Sequence, residues 1–198
     1  FNMDYFLGID IGGTFVKGIV IDNNGKLLCE GSVPSGCAEG GDKLCLNILS
    51  LCNRLESEAR VKPAAAGVAC AGMISDSGDV LFAGNLFLKN FPLKEKLTNL
   101  LQIPVTVVND ANAAAYGEAV FGAGKNFSDS VFITLGTGVG GGIIIGGKLF
   151  TGGKGAGAEI GHTVIVHGGK KCTCGRKGCF EAYSSATALI RDTRTAMQ

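Results

Sequence analysis

The sequence predicts an α/β fold in which one glycine-rich hairpin unit occurs twice. Apolar runs alternate with amphipathic stretches of helical period, a pattern typical of a sheet covered by helices. The sequence also repeats itself, because residues 9–21 match residues 133–145 at a constant offset of 124. Two unrelated hairpins with similar turn residues are the alternative, but the constant offset favours duplication. We therefore expect a duplicated domain with a cleft between the copies.

Three apolar runs joined by tight turns open the chain and predict an antiparallel meander. The first run ends in Asp10 and is followed by the turn Gly12-Gly13-Thr14; the next runs are 16–21 and 26–33. Glycines in this turn let backbone N–H groups approach an anion, and Thr14 adds a hydroxyl. Many hairpins have such a turn without any ligand, so a phosphate-binding turn and a plain hairpin both fit it.

Helices and buried strands alternate in the segment that follows. Helices are predicted over 42–60, 93–101 and 111–121, and strands over 65–71 and 105–108. Ligands of such sheets collect at the carboxyl ends of the strands. We expect a first domain over residues 3–122 and a second, incomplete one over 123–198.

Asp110 stands where a predicted strand ends and a predicted helix begins. An aspartate at this place can cap the helix by accepting backbone N–H bonds. A carboxylate at the carboxyl end of a strand can also act as general base toward a sugar hydroxyl. The residues alone leave both roles open.

Three thiols and one imidazole lie close together in the second half of the chain. The thiols crowd into eight residues of a loop rich in glycine and lysine, and a histidine precedes them by ten residues. This spacing suits a closed tetrahedral zinc site. Ordinary buried thiols or a disulfide are the alternatives, although a loop of this composition forms no hydrophobic core in which the thiols could be buried. The candidate Zn²⁺ ligands are His162, Cys172, Cys174 and Cys179.

Composition narrows the functional classes. The chain has 198 residues, a net charge of +1 and 46% hydrophobic residues, which gives no electrostatic case for binding nucleic acid or a membrane surface. The most apolar stretch, residues 131–145, is interrupted by glycines and too short to span a bilayer. Eight cysteines without a recognisable export signal predict a reducing, cytoplasmic compartment.

Five motifs in this order resemble the ROK family of sugar kinases and sugar-responsive repressors, and within it bacterial ATP-dependent glucokinases most closely. The motifs are Asp10-Ile11-Gly12-Gly13-Thr14, Asn109-Asp110-Ala111-Asn112, Leu135-Gly136-Thr137-Gly138, Glu159-Ile160-Gly161-His162 and the cysteine run that ends at Glu181. The resemblance covers nearly the whole chain. It implies a duplicated, actin-like (ribonuclease H-like) sugar kinase fold.

The resemblance further implies phosphorylation of a hexose, glucose first, at its 6-hydroxyl by ATP, with Asp110 as catalytic base and a place in glycolysis. It implies sugar binding by Asn85, Asn109, Asp110, Glu159, His162 and Glu181. It implies contacts to the ATP phosphates by Gly12, Gly13, Thr14, Gly136, Thr137 and Gly138, and orientation of Mg²⁺ by Asp10. The Zn²⁺ is then structural, and a homodimer or larger homo-oligomer is expected.

Two departures from the family pattern leave alternatives open. After Asn85 the chain has residues 87–92 where many members have a Pro-Gly-Trp-like turn, so N-acetylmannosamine or N-acetylglucosamine is an alternative sugar. The chain also ends at Gln198, short of the family's length, so we expect it to be inactive as a kinase by itself. A non-catalytic sugar-binding fragment is thus another alternative. A ROK transcriptional regulator is less expected, because its helix-turn-helix has no room before Asp10.

Overall fold

The computed structural model describes residues 4–153 and 157–198. These residues form two compact units, divided between Ala113 and Ala114 inside a helix. The predicted domain boundary, after residue 122, remains a prediction. No helix in the described ranges is long and apolar enough to cross a membrane.

The elements up to residue 120 build the first unit and the helix that leads out of it. In chain order they are β1 (Tyr5–Ile11), β2 (Phe15–Asp22), β3 (Leu27–Pro34), α1 (Gly41–Ala59), β4 (Ala65–Cys70), β5 (Met73–Ile74), β6 (Val80–Ala83), β7 (Leu88–Phe91), α2 (Leu93–Leu101), β8 (Val105–Asn109) and α3 (Asp110–Val120). The predicted meander is confirmed, because β1, β2 and β3 pair antiparallel. Strands β4 and β8 extend the sheet in parallel, which gives the order β3-β2-β1-β4-β8.

Helix α1 covers this sheet through a continuous apolar face, as its 3.6-residue period predicts. The buried side chains are Leu44, Cys45, Ile48, Leu51, Cys52 and Leu55. Two of these leucines occupy the space above a strand glycine: a Cβ added at Gly18 would stand 2.9 Å from a Leu55 methyl carbon and 3.0 Å from one of Leu51. The helix ends at Ala59, because Arg60 takes the left-handed conformation with φ 57°.

A second, three-stranded antiparallel sheet in the order β5-β6-β7 lies between β4 and α2 in the sequence. The sequence carries no clear signal for these strands. They are only two to four residues long, too short for hydrophobic periodicity to reveal them. A single turn of 3₁₀-helix, Gly84–Leu86, joins β6 to β7 and carries Asn85.

The second unit repeats the opening hairpin. Its elements are β9 (Ser130–Leu135), β10 (Val139–Ile145), β11 (Lys148–Leu149), α4 (Glu181–Ser184) and α5 (Ala186–Ala196). Strands β9, β10 and β11 form an antiparallel meander, so the repeat seen in the sequence is also a repeat of topology.

The two hairpins differ in register by one residue. Ile11 pairs with Val16 across a four-residue turn, whereas Leu135 pairs with Val139 across a three-residue turn. The constant sequence offset therefore hides a tighter turn in the second copy.

We expect Leu51→Ala to lower the free energy of unfolding by about 2–5 kcal/mol, because it opens a cavity between α1 and the sheet. Leu46→Ala is the matched control, since Leu46 lies on the same helix and is 54% exposed; it should cost about 0.5 kcal/mol or less. Urea unfolding followed by circular dichroism measures both. Equal losses in the two variants would contradict the packing of α1 described above.

Candidate functional site

Three parallel strands of the first unit end at the same height along one edge of the sheet. Ile11 of β1 is in register with Cys70 of β4, and Cys70 is in register with Asn109 of β8. Since neighbouring strands lie about 4.8 Å apart, the backbones of Ile11 and Asn109 are about 10 Å apart. The first glycine turn and Asp110, which follow these two strand ends, are therefore brought to one edge as the sequence predicted.

The pKa of the Cys70 thiol is shifted in part by the charges at this edge. The thiol is fully buried, and its pKa is raised to about 12 by burial first and then by the carboxylates of Asp110 and Asp10. The thiol is therefore protonated at neutral pH and is not a nucleophile. Both carboxylates belong to exposed residues, so they face solvent on either side of β4.

Helix α3 is capped by Asn109 rather than by Asp110. The Oδ1 atom of Asn109 accepts hydrogen bonds from the N–H groups of Ala111 at 3.0 Å and Asn112 at 3.2 Å. Its Nδ2 donates to the carbonyl of Gly72 at 3.0 Å, which leaves one amide hydrogen for a ligand. The Oδ1 atom of Asp110 also accepts from the Ala111 N–H, at 2.9 Å, so Asn109 is the N-cap residue and Asp110 shares one of its two donors.

The first glycine turn packs against the loop that carries Asn85. The turn is closed by a hydrogen bond from the Gly12 N–H to the Phe15 carbonyl at 3.0 Å, while Gly13 and Thr14 are exposed. A Cβ at Gly13 would stand 3.1 Å from the carbonyl oxygen of Asn85. The structure therefore brings together the predicted phosphate-binding turn and one predicted sugar-binding residue, Asn85.

Two further residues that sequence analysis did not assign to the site touch this turn. Ser35 and Cys37 are buried, with 2% and 3% of their surfaces exposed, and both side chains reach the carbonyl oxygen of Gly13. The sequence gives little signal for them, because a serine between proline and glycine is typical of any turn. Cys37 lies outside the cysteine-rich loop, and nothing in the sequence distinguishes it from an ordinary buried thiol.

The four predicted zinc ligands of the second unit converge. One ligand atom from each of His162, Cys172, Cys174 and Cys179 lies within 4.8 Å of the other three. The Sγ of Cys172 is 3.6 Å from Nδ1 of His162, and the Sγ atoms of Cys174 and Cys179 are 3.6 Å apart. Thiolates bound about 2.3 Å from one tetrahedral centre lie about 3.8 Å from each other, so both donor set and spacing fit Zn²⁺.

The surroundings of the cluster shift the pKa values of two of its thiols in opposite directions. Hydrogen bonds from the backbone and the guanidinium of Arg176 lower the pKa of Cys174 to about 6, whereas burial raises the pKa of Cys179 to about 11. The other ring nitrogen of His162, Nε2, lies 3.9 Å from a carboxylate oxygen of Glu159. A metal at Nδ1 would fix the proton on Nε2, pointing toward that acid.

Glu181 connects the cysteine loop to the second glycine turn. One carboxylate oxygen accepts from the Val139 N–H at 3.0 Å, and the other accepts from the Thr173 hydroxyl at 3.2 Å, with the Cys172 thiol at 3.6 Å. A Cβ at Gly138 would clash with this carboxylate, so a larger residue there would displace the Glu181 side chain. Glu181, a predicted sugar-binding residue, thus links the cysteine loop to the second glycine turn.

The start of α5 supports the same turn. The Ala186 N–H donates to the carbonyl of Gly136 at 2.9 Å, and the Thr187 hydroxyl donates to the carbonyl of Thr137 at 2.7 Å. Gly136, Thr137 and Gly138 are therefore anchored by α4 and α5 together.

Comparison with known proteins gives one consistent family. The profile described as the ROK family matches residues 6–198. A glucokinase of Halalkalibacterium halodurans is 40% identical over 192 residues, which are 94% of this chain and 58% of that protein. The xylose repressor of Bacillus subtilis is 31% identical over 193 residues, 96% of this chain and 50% of the repressor.

A solved structure matches equally well. The ROK family glucokinase from Streptomyces griseus, in complex with glucose and AMPPNP, is 39% identical with a TM-score of 0.83 and covers 100% of this chain, which spans 62% of that one. The chain therefore spans less than two thirds of each of these proteins.

We expect one Zn²⁺ per chain in protein prepared without chelator, and we expect Cys179→Ser to release it, because the closed site needs all four ligands. Cys45→Ser is the matched control, since it changes a buried thiol on α1 outside the cluster. Elemental analysis of the dialysed proteins measures the metal. Wild-type protein without zinc, or a Cys179→Ser variant that retains it, would contradict the assignment.

Proposed function

The chain belongs to the ROK family, and on that premise we propose that its protein transfers the γ-phosphoryl group of ATP to the 6-hydroxyl of a hexose. The observation that carries the proposal is Asp110, an exposed carboxylate at the carboxyl edge of the sheet, directly after the residue that caps helix α3, Asn109. A glucokinase among the relatives and a ROK glucokinase structure in complex with glucose and AMPPNP support glucose as the first sugar to test.

In the proposed reaction Asp110 is the general base. The 6-hydroxyl oxygen forms a bond to the γ-phosphorus, the bond from that phosphorus to the oxygen of ADP breaks, and Asp110 takes the hydroxyl proton. Phosphoryl transfer depends mainly on positioning and on charge stabilisation, so the base acts late. Asp110 begins α3 directly after β8, and a place between two regular elements suits such positioning.

Five other residues are proposed to bind the sugar hydroxyls, namely Asn85, Asn109, Glu159, His162 and Glu181. His162 would use its Nε2–H, because Nδ1 faces the cysteine cluster. Zn²⁺ would be structural, since four protein ligands leave it no open position. Glu181 would use the lone pairs that its bonds to Val139 and Thr173 leave free.

The nucleotide is proposed to bind through the two glycine turns. The proposed residues are Gly12, Gly13, Thr14, Gly136, Thr137 and Gly138, since glycine-rich turns let the backbone approach phosphate oxygens. The N–H groups of Gly12 and Gly136 already donate to the carbonyls of Phe15 and Gly138 inside the turns. Asp10 would hold Mg²⁺, which prefers carboxylate oxygen and water as ligands and supplies charge to the phosphates. The cytoplasmic location and the homo-oligomeric state also remain predictions.

A sugar-responsive regulator is the second candidate, because the xylose repressor is among the relatives. A regulator needs a sugar site but no general base. N-acetylmannosamine and N-acetylglucosamine remain candidate sugars, because the loop after Asn85 departs from the family's common pattern. Phe87 in that loop is 73% exposed and has the left-handed φ of 56°, which is unusual for a bulky residue.

In the full-length protein we expect Asp110→Asn to lower kcat by about 10²–10⁴-fold, because the base is lost, with little change in glucose affinity. Asp76→Asn is the matched control, since Asp76 is also an exposed aspartate of the first unit. Glucose 6-phosphate formation measures turnover, and calorimetry measures sugar binding. A variant that keeps more than about a tenth of the wild-type kcat would exclude Asp110 as the base.

A further inference from the structure

We propose that Ser35 and Cys37 are positioning residues that hold the Gly13–Thr14 peptide so that its N–H faces the nucleotide phosphates. The inference rests on the proposed function, which makes the first glycine turn a phosphate-binding element. Neither residue would touch the nucleotide itself. They would act through the backbone of the turn.

Both side chains bind the same carbonyl from inside the protein. The Ser35 hydroxyl donates to the Gly13 carbonyl at 2.8 Å, and the Cys37 thiol donates to it at 3.1 Å. The Ser35 N–H also donates to the Thr14 carbonyl at 2.9 Å. Two successive carbonyls of the turn are therefore fixed by a segment that follows β3.

The planarity of the peptide bond converts this contact into an orientation. In a trans peptide the C=O and N–H bonds point in opposite directions, and the Gly13 carbonyl shares its peptide with the Thr14 N–H. Because the carbonyl points inward to Ser35 and Cys37, the N–H points outward. Among the described residues, no backbone carbonyl accepts from it, and Gly13 and Thr14 are exposed.

Helix α1 holds the two positioning residues in turn. Asn47 on α1 donates from Nδ2 to the carbonyls of Pro34 at 3.1 Å and Ser35 at 3.3 Å. Gly36 between the two residues has φ 67°, and a Cβ there would stand 2.6 Å from the same Nδ2. Only glycine allows Asn47 this close while the chain turns toward Cys37.

Cys37 also reaches the loop of the proposed sugar ligand. Its Sγ lies 3.9 Å from the Asn85 carbonyl oxygen, on the side where that oxygen approaches Gly13. The thiol therefore packs between the phosphate turn and the Asn85 loop. A smaller side chain at position 37 would leave both loops without this support. Truncation of a buried cysteine elsewhere in the unit would leave the support in place.

The test compares binding of AMPPNP and of glucose by calorimetry in the full-length protein. We expect Ser35→Ala to weaken AMPPNP binding about fivefold or more, because a hydrogen bond that fixes the peptide is lost, with the glucose affinity unchanged. Ser35→Thr keeps the hydroxyl and should restore AMPPNP affinity. Cys37→Ala should also weaken AMPPNP binding. If Ser35→Ala does not fold, Cys37→Ala provides a second test of the hydrogen bonds to the Gly13 carbonyl.

Cys45→Ala is the matched control, because it removes a fully buried thiol on α1 far in sequence from the turn, and it should leave AMPPNP binding unchanged. Folded Ser35→Ala and Cys37→Ala variants that bind AMPPNP like the wild type would overturn the inference. So would an equal loss in Cys45→Ala, which would indicate general destabilisation. If the wild type itself bound glucose but no nucleotide, the proposed kinase function would fail, and this inference with it.

Discussion

The parallel pairing of β1, β4 and β8 is the interaction on which the site of the first unit depends. Because Ile11, Cys70 and Asn109 are in register, three consecutive strand ends open onto one edge. A slip of one residue would move a strand end by about 3.3 Å and turn its side chains to the opposite face. Burial holds this register, since fully buried positions of β1 and β4 alternate with half-buried or exposed ones.

Orientation of the glycine turns comes from the polar groups behind them. Glycine allows the backbone to approach a ligand, but it also leaves the backbone free to take other conformations. In the first turn the Gly13 carbonyl is held by a hydroxyl and a thiol. In the second turn, carbonyls are held by Ala186 and Thr187 and an N–H is held by Glu181.

The features that the sequence predicted are those with a local signal. Helices α1 and α2 were placed within a residue of their ends, because their apolar residues recur at helical spacing over several turns. The cysteine cluster was predicted because its ligands lie close together in the sequence. The contacts of Ser35 and Cys37 with Gly13 span 22 and 24 residues, so no local pattern could show them. Asn109 and Asp110 are both good caps, and only the structure distinguishes which of them serves.

The two glycine hairpins are copies in sequence, yet their supports are not copies. One turn rests on the segment after its own third strand, and the other rests on α4 and α5, which follow the cysteine loop. Each turn therefore has its own anchor in a different part of the sequence. Substitutions in one anchor need no matching change in the other, so the two halves can diverge separately while both turns keep their shape.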